Sequence, residues 1–154
     1  MTENQDTTIP AHTHNAEQFA MPSRPAASNW LEEQVLNHFF RGADIPSPTT
    51  FLALYISDPT ENDIGTEIQG GAYNRMRINF GEPQQIDGKG TISNSEAVYF
   101  STATENWGVI SHWGIRDAQT GGNLLTYGAV PTPKLIERGD EAKFNVGAIT
   151  VSMD

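Results

Sequence analysis

The sequence predicts a mainly β protein: a β-sandwich of jelly-roll or Greek-key type with one leading amphipathic helix and an extended N-terminal arm. After residue 50, apolar residues alternate with polar ones or occur in short runs, which is typical of strands. The breaks between these runs carry turn residues, such as Asp87-Gly88 and Gly139-Asp140. Only one stretch, before residue 42, has a helical period. We therefore predict an arm at 1–28 and a β-sandwich domain at 29–154.

The first 28 residues lack the pattern of a core-forming segment. Their few large apolar side chains follow neither a helical nor a strand period, and three prolines remove backbone donors. An extended segment of this length reaches ~90 Å, farther than the width of its own domain. We expect an arm that straps the domain to neighbouring subunits, with three apolar anchors: Ile9, Phe19 and Met21.

Residues 30–41 form the predicted helix. Ser28 or Asn29 can cap its first turn, and Gly42 suits the left-handed exit. One face of the helix is apolar and is expected to close one side or end of the sandwich. The residues of that face are Leu31, Val35 and Phe39.

Seven or eight short strands are predicted after the helix. The segment at 51–56 is apolar on both faces, as in a central strand, whereas in 73–80 the apolar residues alternate with Arg75 and Arg77. We expect both arginines to point outward. The predicted strands are 51–56, 73–80, 97–100, 109–115, 123–130, 142–146 and 148–153.

The charge of the chain limits the classes of partner that it can bind. It has 9 basic and 19 acidic residues, a net charge of −10, which argues against binding nucleic acid or an anionic membrane. It has no cysteine, so disulfides and thiolate metal sites are ruled out. We expect no cofactor. The N-terminus does not resemble a signal peptide, so we expect synthesis in a cytosol without an export signal.

The sequence contains only weak candidates for a metal site, a catalytic site or a sugar-binding site. The acidic loop at 58–67 has carboxylates that could bind calcium but lacks EF-hand spacing, so a solvated loop is the simpler interpretation. Ser111 and His112 are adjacent, yet on a regular strand they would point to opposite faces. Trp107 and Trp113 fit packing of the sandwich better than a stacking platform for sugars. These patterns predict a protein that is not an enzyme.

Three segments together resemble a family of small tailed-phage virion proteins described as tail fibre or head fibre proteins. They are NWLEEQVLNHFFRG with PTTFLALYISDPT, GTEIQGGAYNRMRINFG, and WGVISHWGIRDAQTGGNLLTYGAV with the closing AITVSMD. The resemblance covers residues 29–154 and implies a structural role in the virion. It leaves open whether the protein sits on the head or the tail, and it brings no catalytic residues.

Two functions follow from these patterns. The first is a capsid decoration (cement) protein whose arm binds the major capsid protein or other virion proteins. The alternative is a tail or head fibre module that binds a host-surface glycan. The resemblance also implies a homotrimer. Arg75 and Arg77 are the expected ion-pair partners of a neighbouring subunit or the capsid.

Overall fold

The computed structural model describes residues 25–153, which contain one helix and ten strands. All strand pairs are antiparallel. The elements are β1 (Ala26–Ala27), α1 (Asn29–Arg41), β2 (Phe51–Tyr55), β3 (Met76–Arg77), β4 (Gln84–Ile86), β5 (Lys89–Ser93), β6 (Val98–Tyr99), β7 (Gly108–Arg116), β8 (Leu124–Ile136), β9 (Lys143–Phe144) and β10 (Thr150–Met153).

The strands form a five-stranded sheet in the order β1-β8-β7-β2-β3, a three-stranded sheet in the order β10-β5-β4, and a β6–β9 ribbon. A single core cluster joins them. Leu54 and Trp113 of the large sheet belong to the same cluster as Val98 of the ribbon and Ile149, which precedes β10. Apolar faces of separate sheets thus cover one another, and the prediction of a mainly β sandwich is confirmed.

Strands β7 and β8 are the centre of the large sheet, and glycines let bulky side chains cross them. A Cβ on Gly114 would lie 2.8 Å from a methyl group of Leu124 and 2.9 Å from the Tyr55 ring. A Cβ on Gly128 would lie 2.7 Å from the Trp113 ring. Both glycines are therefore needed for close packing rather than for turning the chain.

The large sheet begins inside the range predicted as the arm. Ala26 and Ala27 pair with Tyr127 and Thr126 of β8, and the backbone N–H of Ser28 donates to the Leu125 carbonyl at 2.9 Å. The Ser28 hydroxyl contacts the Leu124 carbonyl and caps α1 by accepting from the Leu31 N–H. Residues 26–28 thus tie the helix to the sheet.

The expected burial of the helix face is wrong at its C-terminal end. No residue of α1 is fully buried: Leu31 and Val35 are half-buried, and Phe39 is 72% exposed. The helix is anchored through its first turn, where the Asn29 N–H donates to the Glu61 carbonyl at 2.9 Å. The second half of the helix extends beyond the sheet. The apolar face is therefore half-buried at the start of the helix and exposed to solvent at its end.

The prediction for 73–80 is also only partly right. Only Met76–Arg77 pairs with β2, and Arg75 lies before this short strand with its side chain turned inward. The β4–β5 hairpin was not predicted as strands, although its turn was recognised. Asp87 and Gly88 have φ of 51° and 78°, as a two-residue turn of type I′ requires.

Candidate interaction surface

The second half of α1 presents an apolar surface to solvent. Leu36, Phe39 and Phe40 are 57%, 72% and 79% exposed; we call these three side chains the helix-end patch. Large apolar side chains that are exposed next to one another form a patch, and exposed apolar patches mark sites of association. Burying each phenylalanine would contribute about 1.5–3 kcal/mol. The helix-end patch can therefore bind an apolar partner.

Arg75 does not point outward as the alternation predicted. Its guanidinium donates to both carboxylate oxygens of Glu67 at 2.9 and 2.8 Å, and to the carbonyls of Ala118 and Gly121 at 2.8 and 2.7 Å. Only 8% of the residue is exposed. The guanidinium joins the acidic loop to the β7–β8 turn, which leaves no surface for a partner at this position.

Arg116 also joins the acidic loop to the β7–β8 turn, and we call Arg75 and Arg116, each with its carboxylate and carbonyl partners, the two arginine clamps. It donates to both carboxylate oxygens of Asp63 at 2.7 and 2.9 Å, to the Tyr55 hydroxyl at 3.0 Å and to the Gly122 carbonyl at 2.9 Å. Two of the acidic side chains that could have bound calcium are thus paired with arginines. Among residues 25–153, no cluster of three or more histidine or acidic side chains suits a metal ion.

Glu67 also fixes the position of the Tyr73 side chain. The Tyr73 hydroxyl donates to Glu67 Oε2 at 2.6 Å and accepts from the Leu54 N–H at 3.0 Å. Burial raises the pKa of Tyr73, and the hydrogen bond to Glu67 raises it further. The phenol therefore stays protonated and holds the loop on the central strand.

Arg77 remains an exposed cation, as predicted. It lies on β3, which is the outer strand of the large sheet, and its partner in the pairing is Phe51. Its position at a sheet edge suits contact with another subunit. The three predicted anchors of the arm, Ile9, Phe19 and Met21, lie outside the described residues.

The contact between Ser111 and His112 differs from the prediction. Residues 130–133 of β8 stand opposite Ser111 alone, so the β7–β8 pairing is irregular there, and Ser111 Oγ lies 2.9 Å from His112 Nδ1. Asp58 Oδ2 is 3.8 Å from Nε2, which is too far for a hydrogen bond. A nucleophilic serine needs a base that a third group orients, and these three side chains do not provide that arrangement.

The two tryptophans that were expected to pack the sandwich lie inside the domain. Trp107 and Trp113 are 6% and 5% exposed, and the Trp107 indole N–H donates to the Gly71 carbonyl at 2.9 Å. Trp107 also makes edge contacts with the rings of Tyr73 and Phe100. Neither tryptophan can be the stacking platform of a glycan site.

A large groove of about 350 Å³ opens between the large sheet and the β10-β5-β4 sheet. Three threonines line it among apolar side chains, but each hydroxyl already donates to a backbone carbonyl: Thr50 to Ile78, Thr91 to Lys89, and Thr126 to Ala26. The groove therefore offers few polar groups for a sugar.

The family model described as "Podophage GP4 fiber I protein gp80" matches residues 26–152 of the chain. The match begins at β1 and ends within β10, so it includes the helix-end patch and both arginine clamps. A comparison with curated proteins gives no match. Within the described range, no helix is long and apolar enough to cross a membrane.

Proposed function

The chain belongs to the podophage GP4 fiber I protein gp80 family, and we propose that it is a non-enzymatic virion subunit that attaches through its N-terminal side. The observation that carries this proposal is the helix-end patch. Leu36, Phe39 and Phe40 lie on a helix that is fixed to the sheet at its first turn and exposed at its end. A rigid helix that presents exposed rings is suited to insertion into a groove of another protein.

For the place of attachment, we propose the capsid first, with this protein as a decoration subunit. The partner would be the major capsid protein or another virion protein, and Ile9, Phe19 and Met21 of the N-terminal arm would reach a neighbouring subunit. The net charge of −10 is compatible with an outer surface that does not bind nucleic acid. Ordering such an arm costs about 1–2 kcal/mol per residue, so its contacts must be extensive.

The second candidate is a tail or head fibre module, and the name of the matching family contains the word fiber. In this case the attachment would be to a tail or vertex protein. A host glycan would have to be bound elsewhere than at Trp107 and Trp113, because both are buried. The exposed ring of Tyr99, with the Lys143 ammonium 5.1 Å from its centre, is the surface we would test first.

Cryo-electron microscopy of the particle that carries this protein tests the proposal. Density for the described domain over the icosahedral lattice would support decoration, and density for a few copies at one vertex or on the tail would support the fibre alternative. In both cases we expect the helix-end patch to face another virion protein. A patch that faces solvent in the assembled particle would contradict the proposed mode of attachment.

A further inference from the structure

A polar cleft lies where the segment that contains Glu67 and Arg75 meets the β7–β8 turn. Its volume is about 300 Å³, which is at the lower end of the range of small-molecule sites, about 300–1,000 Å³. One wall of the cleft comes from residues 67–75, and the other comes from residues 119–121 of the turn. We call this site the turn cleft.

A buried charged side chain holds the two walls of the turn cleft together. The Arg75 side chain is 9% exposed, and its guanidinium donates to Glu67 on one wall and to the carbonyls of Ala118 and Gly121 on the other. Tyr73 also donates to the Glu67 carboxylate. Because these bonds fix the walls before a ligand arrives, less ordering is needed when a ligand binds.

The rim of the turn cleft carries neutral polar side chains that are exposed and make no hydrogen bond with another side chain or backbone group of residues 25–153. We call them the rim side chains: Gln69, Asn74, Gln119 and Thr120. An amide provides both donors and an acceptor, and a hydroxyl can do either. The rim therefore offers several unused hydrogen-bonding groups around one concave site.

The charge of the turn cleft limits the class of ligand that it can take. Among the described residues that line it, only Glu67 and Arg75 are charged, and they pair through two hydrogen bonds. Four of the five guanidinium N–H groups already donate, so little capacity remains for a phosphate or carboxylate ligand. The net charge of −10 also repels anions. A neutral molecule with several hydroxyl groups therefore fits this cleft best.

We propose that the turn cleft binds a neutral hexose unit of a saccharide, whose hydroxyl groups pair with the rim side chains. This inference deepens the fibre alternative, because it rests on the binding of a host glycan, and it is independent of attachment through the helix-end patch. The Tyr99 surface offers one exposed ring for stacking, whereas the turn cleft offers convergent hydrogen bonds. The two surfaces are thus distinct places for a sugar.

Nuclear magnetic resonance of isotope-labelled full-length protein tests this proposal. The probes are glucose, galactose, mannose and N-acetylglucosamine, each added separately until the signals stop changing. We expect at least one of these sugars to shift the backbone amide signals of residues 67–75 and 119–121. The amides of β4, which lies in the other sheet, should not shift.

A double variant with Asn74→Ala and Gln119→Ala removes one amide side chain from each wall. Both side chains are exposed and make no hydrogen bond with residues 25–153, so the variant should keep the wild-type melting temperature. It should bind the sugar about tenfold more weakly, as expected for the loss of two hydrogen bonds. Gln84→Ala, at an exposed glutamine of β4 outside the cleft, is the matched control and should bind like the wild type.

The absence of amide shifts with every one of these sugars would overturn the proposal. A double variant that binds as tightly as the Gln84→Ala control would overturn it as well. Shifts centred on Tyr99 and Lys143 would also overturn the turn cleft as the site, but they would support the fibre alternative. Failure of this inference can therefore be told apart from failure of the proposed function.

Discussion

At the scale of single residues, the two arginine clamps decide how the acidic loop is held. Arg75 is 8% exposed and its guanidinium is bound by Glu67 and two carbonyls. Removing one partner of a buried ion pair costs about 3–5 kcal/mol, because the other charge is left without compensation. We expect Glu67→Gln to lower the free energy of unfolding in urea by an amount in this range.

Glu96→Gln is the matched control, because Glu96 is exposed and accepts one hydrogen bond from Asn79 at 3.2 Å. Its effect should stay within about 0.5 kcal/mol, as for most surface substitutions. Equal losses in the two variants would show that Glu67 does not compensate Arg75.

The buried tyrosines predict how stability depends on alkaline pH. Burial, with the hydrogen bond to Glu67, raises the pKa of Tyr73 above its ordinary value of 10.0, and burial also raises the pKa of Tyr55. Above pH 10 the unfolded chain loses these protons while the folded chain keeps them, so stability is complete below pH 10 and falls as pH rises further.

Tyr73→Phe should reduce this alkaline loss when urea unfolding is compared at pH 8 and at a pH above 10. The variant will also lose some stability at pH 8, since the Leu54 N–H loses its acceptor. Tyr99→Phe, at an exposed side chain, is the control for removing one phenol. If the Tyr73→Phe variant loses as much unfolding free energy above pH 10 as the wild type, the alkaline loss does not come from Tyr73.

At the scale of elements, α1 shows what a periodic pattern can and cannot predict. Its bounds agreed with the prediction to within one residue, because the caps at Ser28 and Gly42 are local signals. The apolar period at Leu31, Val35 and Phe39 identified a contact face but not its partner. Only the tertiary structure shows that this face is half-buried at its start and exposed at its end.

We therefore expect Phe39→Ala to change the free energy of unfolding by less than about 1 kcal/mol. Ile115→Ala, at a side chain that is 2% exposed, is the comparison and should cost about 2–5 kcal/mol. Urea denaturation of both variants checks the difference. A loss of several kcal/mol for Phe39→Ala would mean that the helix end packs on its own domain.

Periodicity also predicted only some of the strands. Long apolar runs such as Phe51–Tyr55 were predictable, because a central strand is buried on both faces. The short strands were not, and alternation failed where the chain leaves a regular strand. Arg75 lies before β3 and turns inward, and Ser111 contacts His112 at the point where a bulge in β8 shifts the β7–β8 register. Neither loop closure nor a bulge has a periodic signal.

At the scale of the whole molecule, the trimer stays a prediction, and Arg77 is the exposed residue that tests it. If the arginine pairs with a neighbouring subunit, Arg77→Glu should lower the trimer fraction in native mass spectrometry at low salt, and added salt should weaken the effect. Arg138→Glu, at another exposed arginine, is the control. Equal oligomer masses for all three proteins would remove Arg77 from the interface.

The N-terminal segment is the other prediction at this scale. Deletion of residues 1–28 would remove β1 and the helix cap, so this deletion cannot separate attachment from folding. Deletion of residues 1–20 keeps them and removes Ile9 and Phe19. We expect a nearly unchanged melting temperature and weaker attachment to the particle. Full attachment after this deletion would contradict a strap that depends on these anchors.

We propose that the helix-end patch attaches this fold to the virion, and a binding measurement on particles tests this attachment most directly. Purified full-length protein would be added to particles assembled without it, and bound copies counted after sedimentation. The variant with Leu36→Ser, Phe39→Ser and Phe40→Ser should keep the wild-type melting temperature and bind at least tenfold more weakly. Wild-type occupancy by this variant would contradict the account.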